Sequence, residues 1–351
     1  MMKRIFWIFI FIIFYNVPDL YPQIAVALHT AGEGEAREVI FYYRSDGFQQ
    51  AYAEAVDGDT IYLPGGSFNP PTRIEKRLVI YGAGHYPSAT AATSKTVING
   101  TLTLDEGADN LRLEGLYVSG GLTVNSDRSV NQVTIQRCFF TQRIHFYGSS
   151  GTNVCRNFTF KGCVFSLEFY FDNLEQSAVY NSFLGGQIRN STGNLFSNNI
   201  VFYSTPSNYN SGVFAGGEQN IIENNIFRLN TSRFIHNSSN NTFTNNVFHA
   251  SSPYYGTGAQ VYNSWTDVDF SSLFEFQEGA VFSYDHDYTL RDSGAYTGTD
   301  ETQVGIYGGV FPYKENAVPV IPHIISRSVS PRTDSDGNLS IEITVEAQNE
   351  N

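Results

Sequence analysis

Several segments of the sequence are copies of one another, and this internal repeat constrains the fold more than any other feature. The closest copies share an Asn-Asn step inside a short apolar strand and lie at 196–202, 222–227 and 243–248. Looser copies lie at 113–118, 135–140, 160–165 and 180–184. The apolar residue just after each turn marks the repeat: Leu116, Cys138, Cys163, Phe183, Ile200, Ile226 and Val247. These markers are 22, 25, 20, 17, 26 and 21 residues apart, a variable period typical of one coil of a β-solenoid.

Each copy alternates apolar with polar residues, as short strands with one buried face do. The Asn-Asn or Gly step suits a turn, because both residues tolerate left-handed backbone geometry. Stacked asparagines can hydrogen-bond along a solenoid, so we interpret them as structural rather than ligand-binding. Three other folds fit the repeat less well. A leucine-rich repeat needs a regular leucine frame, which the sequence lacks, and a β-propeller needs about twice the period. An antiparallel β-sandwich would not explain the near-identical copies. The predicted fold is all-β, a right-handed parallel β-helix solenoid with an N-terminal capping helix and a C-terminal β-hairpin.

The two ends of a solenoid must be covered. One helical face near the N-terminus is apolar at Phe48, Ala51, Tyr52, Ala55 and Val56. Asp46 and Gln49 resemble a capping box, which predicts a helix over the first coil. Further along, alternating strands at 325–329 and 339–345 flank an Asp-Ser-Asp-Gly turn at 334–337. We expect this hairpin to pack on the C-terminal end or edge of the solenoid.

The N-terminus resembles an export signal. A short basic segment precedes a thirteen-residue apolar run, Ile5–Val17, which suits a signal peptide and is short for a membrane span. Ala25–Ala27 offers a cleavage site, and an uncleaved anchor is the alternative. We expect a secreted, extracellular or cell-surface chain without an integral membrane span after signal removal. The predicted organisation is a signal peptide (1–27), a lead-in (28–47), the parallel β-helix (48–323) and a C-terminal hairpin or tail (324–351).

The charge of the chain bears on its partners. The formal net charge of −13 argues against nucleic acid. Between Trp265 and Glu301 the sequence has nine acidic residues and one basic residue. Between Asp127 and Arg189 it has six basic residues and four acidic residues. An anionic ligand should therefore prefer the middle region.

The three cysteines leave at least one unpaired, so the chain is not a disulfide-stapled scaffold. Cys138 and Cys163 occupy equivalent inward positions on adjacent coils. We expect stacked buried thiols there, and a disulfide between them stays open although the geometry is unfavourable.

Two regions carry a family resemblance. The segment Asp57–Phe68 reads DGDTIYLPGGSF and resembles the start of the first coil in secreted bacterial right-handed parallel β-helix proteins of the pectin-lyase-like superfamily. The run Gly305–Gly309, followed by Phe311–Lys314 and Pro322–His323, is similar to their closing segment. The resemblance covers Phe48 to His323 and implies the fold. It implies no single activity, because this fold hosts lyases, hydrolases, epimerases, adhesins and members without known activity. The sequence shows none of the acidic calcium clusters of family pectate lyases, so no site is carried over.

A candidate site follows from the register of the repeat. An inward apolar residue recurs at a nearly constant offset from the first four markers: Leu122, Ile144, Phe169 and Ile188. Their polar neighbours should stack on the outer face in three rows: Gly121, Arg143, Glu168 and Gln187; Thr123, His145, Tyr170 and Arg189; Asn125, Tyr147 and Asp172. With rungs about 4.8 Å apart, this predicts one ligand-binding patch formed by Arg143, His145, Glu168, Tyr170 and Arg189. Aromatic and charged groups together suit a carbohydrate, and an ordinary solvated sheet face is the alternative.

The patch also bears on catalysis. A glycoside hydrolase needs two carboxylates about 5 to 9.5 Å apart, whereas Glu168 and Asp172 lie about 13 Å apart if they share one strand. A uronate lyase needs a base and a cation that neutralises the carboxylate, roles open to the basic and aromatic members of the patch. The sequence therefore identifies no catalytic residue.

Metal binding has little support. Asp285–Asp287 places two carboxylates on one side of a strand, a weak hint of a metal, so we expect no cofactor, with Ca²⁺ as the alternative.

We predict a secreted or surface β-helix protein that binds a polysaccharide or cell-surface glycan without catalysis. The alternatives are a polysaccharide lyase or hydrolase that acts on an acidic polysaccharide, and a structural spacer.

Overall fold

A computed structural model describes residues 25–31, 38–149, 151–203, 212–228 and 234–349. The regular structure in this part of the chain is almost entirely β. The helical elements are α1 (Gly47–Glu54) and a 3₁₀ turn (Glu315–Ala317). The strands, in chain order, are β1 (Ala25–His29), β2 (Val39–Tyr43), β3 (Thr60–Tyr62), β4 (Gly66–Phe68), β5 (Val79–Tyr81), β6 (Thr96–Ile98), β7 (Leu102–Leu104), β8 (Arg112–Glu114), β9 (Tyr117–Val118), β10 (Leu122–Val124), β11 (Thr134–Gln136), β12 (Phe139–Phe140), β13 (Ile144–Phe146), β14 (Cys155–Arg156), β15 (Thr159–Lys161), β16 (Val164–Phe165), β17 (Phe169–Tyr170), β18 (Leu174–Glu175), β19 (Ala178–Tyr180), β20 (Phe183–Leu184), β21 (Ile188–Arg189), β22 (Leu195–Ser197), β23 (Ile200–Val201), β24 (Phe214–Ala215), β25 (Ile221–Glu223), β26 (Ile226–Phe227), β27 (Ile235–His236), β28 (Thr242–Thr244), β29 (Val247–Phe248), β30 (Gln260–Tyr262), β31 (Phe274–Phe276), β32 (Asp287–Leu290), β33 (His323–Val329) and β34 (Ile341–Glu346).

Three long sheets run along the molecule, and successive strands of the chain alternate among them. The twelve-stranded sheet has the order β2-β1-β3-β5-β8-β11-β15-β19-β22-β25-β28-β30. The nine-stranded sheet is β29-β26-β23-β20-β16-β12-β9-β6-β4, and the seven-stranded sheet is β27-β24-β21-β17-β13-β10-β7. From β3 to β30 the strands within these sheets pair in parallel. The architecture is a parallel β-solenoid of about nine turns, which confirms the predicted fold class.

The turn asparagines have two separate structural roles. The first residue of each Asn-Asn step takes left-handed backbone geometry, with φ between 51° and 57° at Asn198, Asn224 and Asn245. The second residue is buried and stacks along the solenoid: Asn199 Nδ2 donates to Asn225 Oδ1 at 2.9 Å, and Asn225 Nδ2 donates to Asn246 Oδ1 at 3.0 Å. This ladder satisfies amide groups inside the coil. The structural interpretation of these asparagines is therefore confirmed.

The seven repeat markers are all buried, as predicted, but they belong to two different columns. Val164 pairs with Phe183, so Cys163 is level with Ser182 rather than with Phe183. The first three markers point into the coil, whereas Phe183 and the later markers lie on the outer face of the nine-stranded sheet. The repeat pattern placed all seven markers in one column because the inward residue after the turn changes from an apolar residue to Ser or Asn in the later coils.

The cysteines are buried and free. Burial raises the pKa of the Cys163 thiol to about 12 and that of Cys155 to about 11. These thiols are therefore protonated at neutral pH and unreactive. Cys138 and Cys163 stack as expected, and the disulfide that the sequence left open is not formed.

The helix α1 lies against the first coil, as predicted. Phe48 and Ala51 are buried, and the helix contacts β1, β2 and β3. Val56 is exposed rather than buried, because the helix has already ended. The capping box is absent: the Asp46 carboxylate accepts a hydrogen bond from the Gln50 side chain at 2.8 Å. The sequence did not predict β1 and β2, an antiparallel pair that extends the twelve-stranded sheet beyond β3.

The predicted signal peptide falls largely outside the described residues and stays a prediction. Its expected cleavage site, Ala25–Ala27, lies within β1, where Val26 is buried. A cut after Ala27 would remove part of a paired strand. Within the described residues, no helix has the length and hydropathy to cross a membrane.

After Trp265 the chain leaves the coils and returns along the outside of the solenoid. We call residues Phe270–Ala317 the cover segment. Its apolar side chains form a second buried cluster with the outer face of the nine-stranded sheet. Turn asparagines hold its backbone: Asn181 Nδ2 donates to the carbonyls of Ile306 and Gly308, at 2.8 and 2.7 Å. The predicted solenoid range of 48–323 thus contains both the coils and their cover.

The C-terminal hairpin forms as predicted from antiparallel β33 and β34. Its position differs from the expectation, because the cover segment carries the chain back to the first coils. His323 Nε2 lies 2.6 Å from the carbonyl oxygen of Ala89, and the hairpin stands beside the N-terminal end of the solenoid. Most of both strands is exposed.

Candidate functional site

All five candidate residues lie on the outer face of the seven-stranded sheet, which we call the outer patch. Their placement depends on an inward column that is fully buried: Leu122, Ile144, Phe169 and Ile188. Side chains alternate across a strand, so His145, Tyr170 and Arg189 stand level on the opposite face. Arg143 and Glu168 lie two positions earlier on the same face. The adjacency predicted from the register is confirmed, and the binding role of the patch stays a prediction.

Tyr170 is the centre of the outer patch. Its ring centroid lies 4.7 Å from that of His145. Two guanidinium groups approach the same ring, Arg143 at 5.6 Å from the coil before and Arg189 at 5.2 Å from the coil after. Cation–π contacts of this kind stabilise exposed sites by about 0.5–1 kcal/mol each. The sheet therefore holds an aromatic ring between two cations.

The two arginines differ in their ion pairing. Arg143 Nε donates to Glu168 Oε2 at 2.9 Å. Partial burial raises the pKa of the Glu168 carboxyl, but the hydrogen bond and charge of Arg143 and the charge of Arg189 lower it by more, so its pKa lies below the ordinary value. Arg189 donates to the side-chain oxygen of Gln187 at 2.5 Å and to the Tyr170 hydroxyl at 3.4 Å. Within the described residues no carboxylate lies at ion-pair distance from Arg189, although its charge contributes to the lowered pKa of Glu168.

A second polar group borders the patch and was not included in the predicted site. His145 Nε2 lies 2.9 Å from Asp172 Oδ2, and the Tyr147 ring stacks on His145 with a centroid distance of 3.5 Å. Asn190 Nδ2 donates to the other oxygen of Asp172 at 2.5 Å. Asp172 and Tyr147 belong to the third predicted row, so the register contained the signal. Asn190 could have been found as a turn asparagine directly after a strand, like those of the repeat.

The patch offers no pair of free carboxylates for hydrolysis. Glu168 is engaged by Arg143, and Asp172 by His145 and Asn190. A retaining or inverting glycosidase would need two carboxyl groups that face one glycosidic bond. Among the described residues of the patch, the His145–Asp172 pair is an arrangement suited to proton transfer.

Metal ligation finds no further support. Among residues 25–31, 38–149, 151–203, 212–228 and 234–349, no three His, Cys, Asp or Glu side chains are grouped to hold an ion. His286 Nδ1 lies 3.1 Å from the Tyr288 hydroxyl instead. Asp334 Oδ1 accepts from the backbone N–H of Asp336 and Asn338, as in an ordinary turn.

A second charged cluster lies beyond the end of the cover segment. Glu114 is fully buried and accepts from Arg137 Nη1 at 2.7 Å, from Arg112 Nη2 at 2.9 Å and from the Val320 N–H at 2.9 Å. A buried carboxylate needs such partners. This cluster ties the returning chain to β8, in the third coil counted from β3, and is structural.

Comparison with known proteins finds no matching family, no matching curated protein and no matching solved structure. Function must therefore be inferred from the side chains themselves.

Proposed function

We propose that this chain is a secreted or surface β-solenoid that binds an acidic polysaccharide or cell-surface glycan on the outer patch, without catalysis. The observation that carries the proposal is the half-buried Tyr170 ring beside Arg189, whose guanidinium has no carboxylate partner within the described residues. A sugar ring can pack on an aromatic face while its carboxylate or sulfate pairs with the arginine.

The shape and charge of the face support the same ligand class. Its rows run along the solenoid axis with about 4.8 Å between rungs, so a linear polysaccharide can contact several coils at once. The region from Asp127 to Arg189 carries two more bases than acids, although the whole chain is acidic. On the face itself Arg143 and Arg189 are balanced by Glu168 and Asp172, so the attraction for an anion comes from Arg189, which has no ion pair within the described residues.

The setting outside the cell is part of the proposal. It is supported by the basic and apolar N-terminus and by the likeness of Asp57–Phe68 to pectin-lyase-like proteins. N-terminal sequencing of protein recovered from the culture medium tests it, and a product confined to the cytoplasm would contradict it.

A binding assay with a matched control tests the ligand. Polyuronates, sulfated glycans and neutral glucans are titrated against the parent and the Tyr170→Ala, Arg189→Ala double variant. We expect affinity for one acidic class, weakened about tenfold or more in the variant by loss of a charge-assisted contact and an aromatic contact. The control is Tyr254→Ala, Arg327→Ala, which removes the same residue types from exposed positions elsewhere. Equal affinity of parent and patch variant would contradict the proposal, and no binding to any glycan would favour a structural spacer.

One observation favours a second candidate, a uronate lyase. His145 is paired with Asp172 at 2.9 Å and lies beside Tyr170 and the cation of Arg189. Elimination needs a base for the proton next to the carboxylate and a cation that stabilises the resulting charge. Ultraviolet absorbance of the unsaturated product on uronate polymers tests it. Product formation that disappears in His145→Ala would establish the lyase, and binding without product would exclude it for those polymers.

A further inference from the structure

The edge strand of the twelve-stranded sheet is unusually apolar. β2 reads Val-Ile-Phe-Tyr-Tyr and is the last strand of the sheet at the N-terminal end. Val39, Phe41 and Tyr43 are 52%, 53% and 45% exposed. Natural sheets protect such edges with charges, prolines or bulges, because an open edge pairs readily with another chain. None of these devices interrupts β2.

The hydrogen-bonding direction of this edge follows from its pairing with β1. The Thr30 N–H donates to the Glu38 carbonyl at 3.1 Å, so Glu38 directs its backbone groups toward β1. Backbone direction alternates along an antiparallel pair. Val39, Phe41 and Tyr43 therefore direct their N–H and C=O groups away from the sheet, where no other described strand lies.

We propose that two copies of this chain form a two-fold symmetric dimer by antiparallel pairing of β2 with β2, centred on Phe41. Phe41 then lies opposite Phe41 of the second copy, and Val39 lies opposite Tyr43. All three outward residues exchange backbone hydrogen bonds, and the two twelve-stranded sheets become continuous. A two-fold contact requires a self-complementary surface, and this strand supplies one.

Charge selects the register. Centring on Phe41 brings Glu38 beside Arg44 of the second copy, twice by symmetry, where Arg44 follows the end of β2 in a left-handed bend with φ 85°. Both residues are exposed, and neither forms an ion pair within the described residues. Sliding one copy by two positions in either direction would separate Glu38 from Arg44 and leave only two of the three outward residues paired within β2. The charges at the two ends of the strand therefore fit the pairing that also buries all three outward residues.

Further apolar surface adjoins the strand. Ala25 and Ala27 pair with Tyr43 and Phe41 and line a groove of about 530 Å³ beneath the C-terminal hairpin. Ile343 of the hairpin faces the same groove and is 55% exposed. A stable interface needs about 1,000 Å² in total, more than one strand pair supplies, and this neighbouring surface can contribute the remainder.

A proline variant tests the edge without disturbing the fold. Phe41→Pro removes only an N–H that faces away from β1, a position where edge strands tolerate proline. Sedimentation of the full chain, which retains β1, should show a dimer with a Kd of about micromolar order. The variant should be monomeric with unchanged circular dichroism, and its melting temperature should equal that of the parent at concentrations below this Kd. The control is Val261→Lys on β30, the opposite edge of the sheet. A monomeric parent, or an assembly sensitive to Val261→Lys but not to Phe41→Pro, would overturn the proposal.

Charge reversal tests the register. Glu38→Arg and Arg44→Glu should each raise the dimer Kd about tenfold, because each creates two like-charge contacts across the axis. An equimolar mixture of the two variants should restore association, because both contacts are then complementary. A mixture that stays as weak as its components would overturn the register centred on Phe41.

Discussion

The outer faces of the seven-stranded and nine-stranded sheets have the same coil geometry, but only the face of the nine-stranded sheet is covered by other residues of the chain. On the nine-stranded sheet the outward column is apolar in every coil from Tyr117 onward: Tyr117, Phe139, Val164, Phe183, Ile200, Ile226 and Val247. On the seven-stranded sheet the equivalent column is largely polar: Thr103, Thr123, His145, Tyr170, Arg189, Ala215 and His236. In the first column Tyr117 and Phe139 are half-buried and the other five residues are buried under the cover segment. The second column has no such cover and is partly exposed except at Ala215.

One outward side chain per strand decides this difference. An apolar column of that length would leave a large exposed patch on a monomer, so the chain turns back and covers it. A polar column is stable in water without a cover and stays available to a ligand. The outer patch therefore lies on the face whose polar column is stable without a cover.

The largest effect should come from removing a side chain beneath the cover. Phe183→Ala should lower the free energy of unfolding by about 3–5 kcal/mol, because this ring is buried against Tyr288 and Tyr313. Tyr170→Ala on the open face should cost only about 1–2 kcal/mol, from the loss of two cation–π contacts. Chemical denaturation measures both, and equal costs would show that the two faces are not distinguished by burial.

Acid should lower the free energy of unfolding through the histidine that is buried on the covered face. His85 is fully buried beneath the cover segment, with Nδ1 3.2 Å from the Tyr284 hydroxyl, and burial followed by the charge of Lys95 lowers its pKa to about 3. The unfolded chain binds this proton near pH 6.5, so stability is full above that pH and falls as the pH drops toward 3. The slope from this group is about 1.4 kcal/mol per pH unit.

The variant His85→Phe isolates that contribution. Between pH 6.5 and 4.5 the parent should lose roughly 2–3 kcal/mol more than the variant. If the unfolding free energies of the parent and His85→Phe fall equally with pH, the imidazole of His85 is not held neutral by burial.

The sequence predicted the open face better than the covered one. The six-residue offset from marker to inward residue placed Arg143 and Tyr170 correctly, because inward facing is fixed by burial and a one-residue slip would reverse it. The cover was missed because only the first of two adjacent apolar residues, as in Phe183–Leu184, served as the marker of the later repeats. Such a pair means that both faces of a strand are buried, and this signal was present in the later repeats.

Long-range placement could not be read from local pattern. The position of the hairpin depends on the path of some fifty preceding residues along the solenoid, which no periodicity encodes. Likewise β1 pairs with β2 and β3 only because α1 folds beneath them. Turn chemistry, in contrast, was readable, since most left-handed positions carry Gly or Asn. Arg137, Gln176 and Gln219 are exceptions within the coils.

Removing one hydrogen-bonding side chain should loosen the cover by a smaller amount. Asn224→Gly keeps the left-handed turn at φ 56° but removes the bonds that join its side chain to Thr299, at 3.0 and 2.9 Å. The expected cost is about 1–2 kcal/mol. Asn263→Gly, at the same turn position in the last coil and exposed, should cost less. Faster hydrogen exchange at the Thr299 amide should accompany the loss, and unchanged exchange would show that Asn224 does not hold the cover.

The smallest effect should come from the ion pair on the open face. A double-mutant cycle with Arg143→Ala and Glu168→Ala should give a coupling free energy of about 0.2–1 kcal/mol, the range of solvated pairs. Because the folded pKa of Glu168 lies below its ordinary value, the coupling should be present at neutral pH and should vanish as the pH falls through that lowered pKa. Salt should weaken it by screening. A coupling of several kcal/mol that resists salt would mean that Glu168 and Arg143 are desolvated, and the open face would then resemble the covered one.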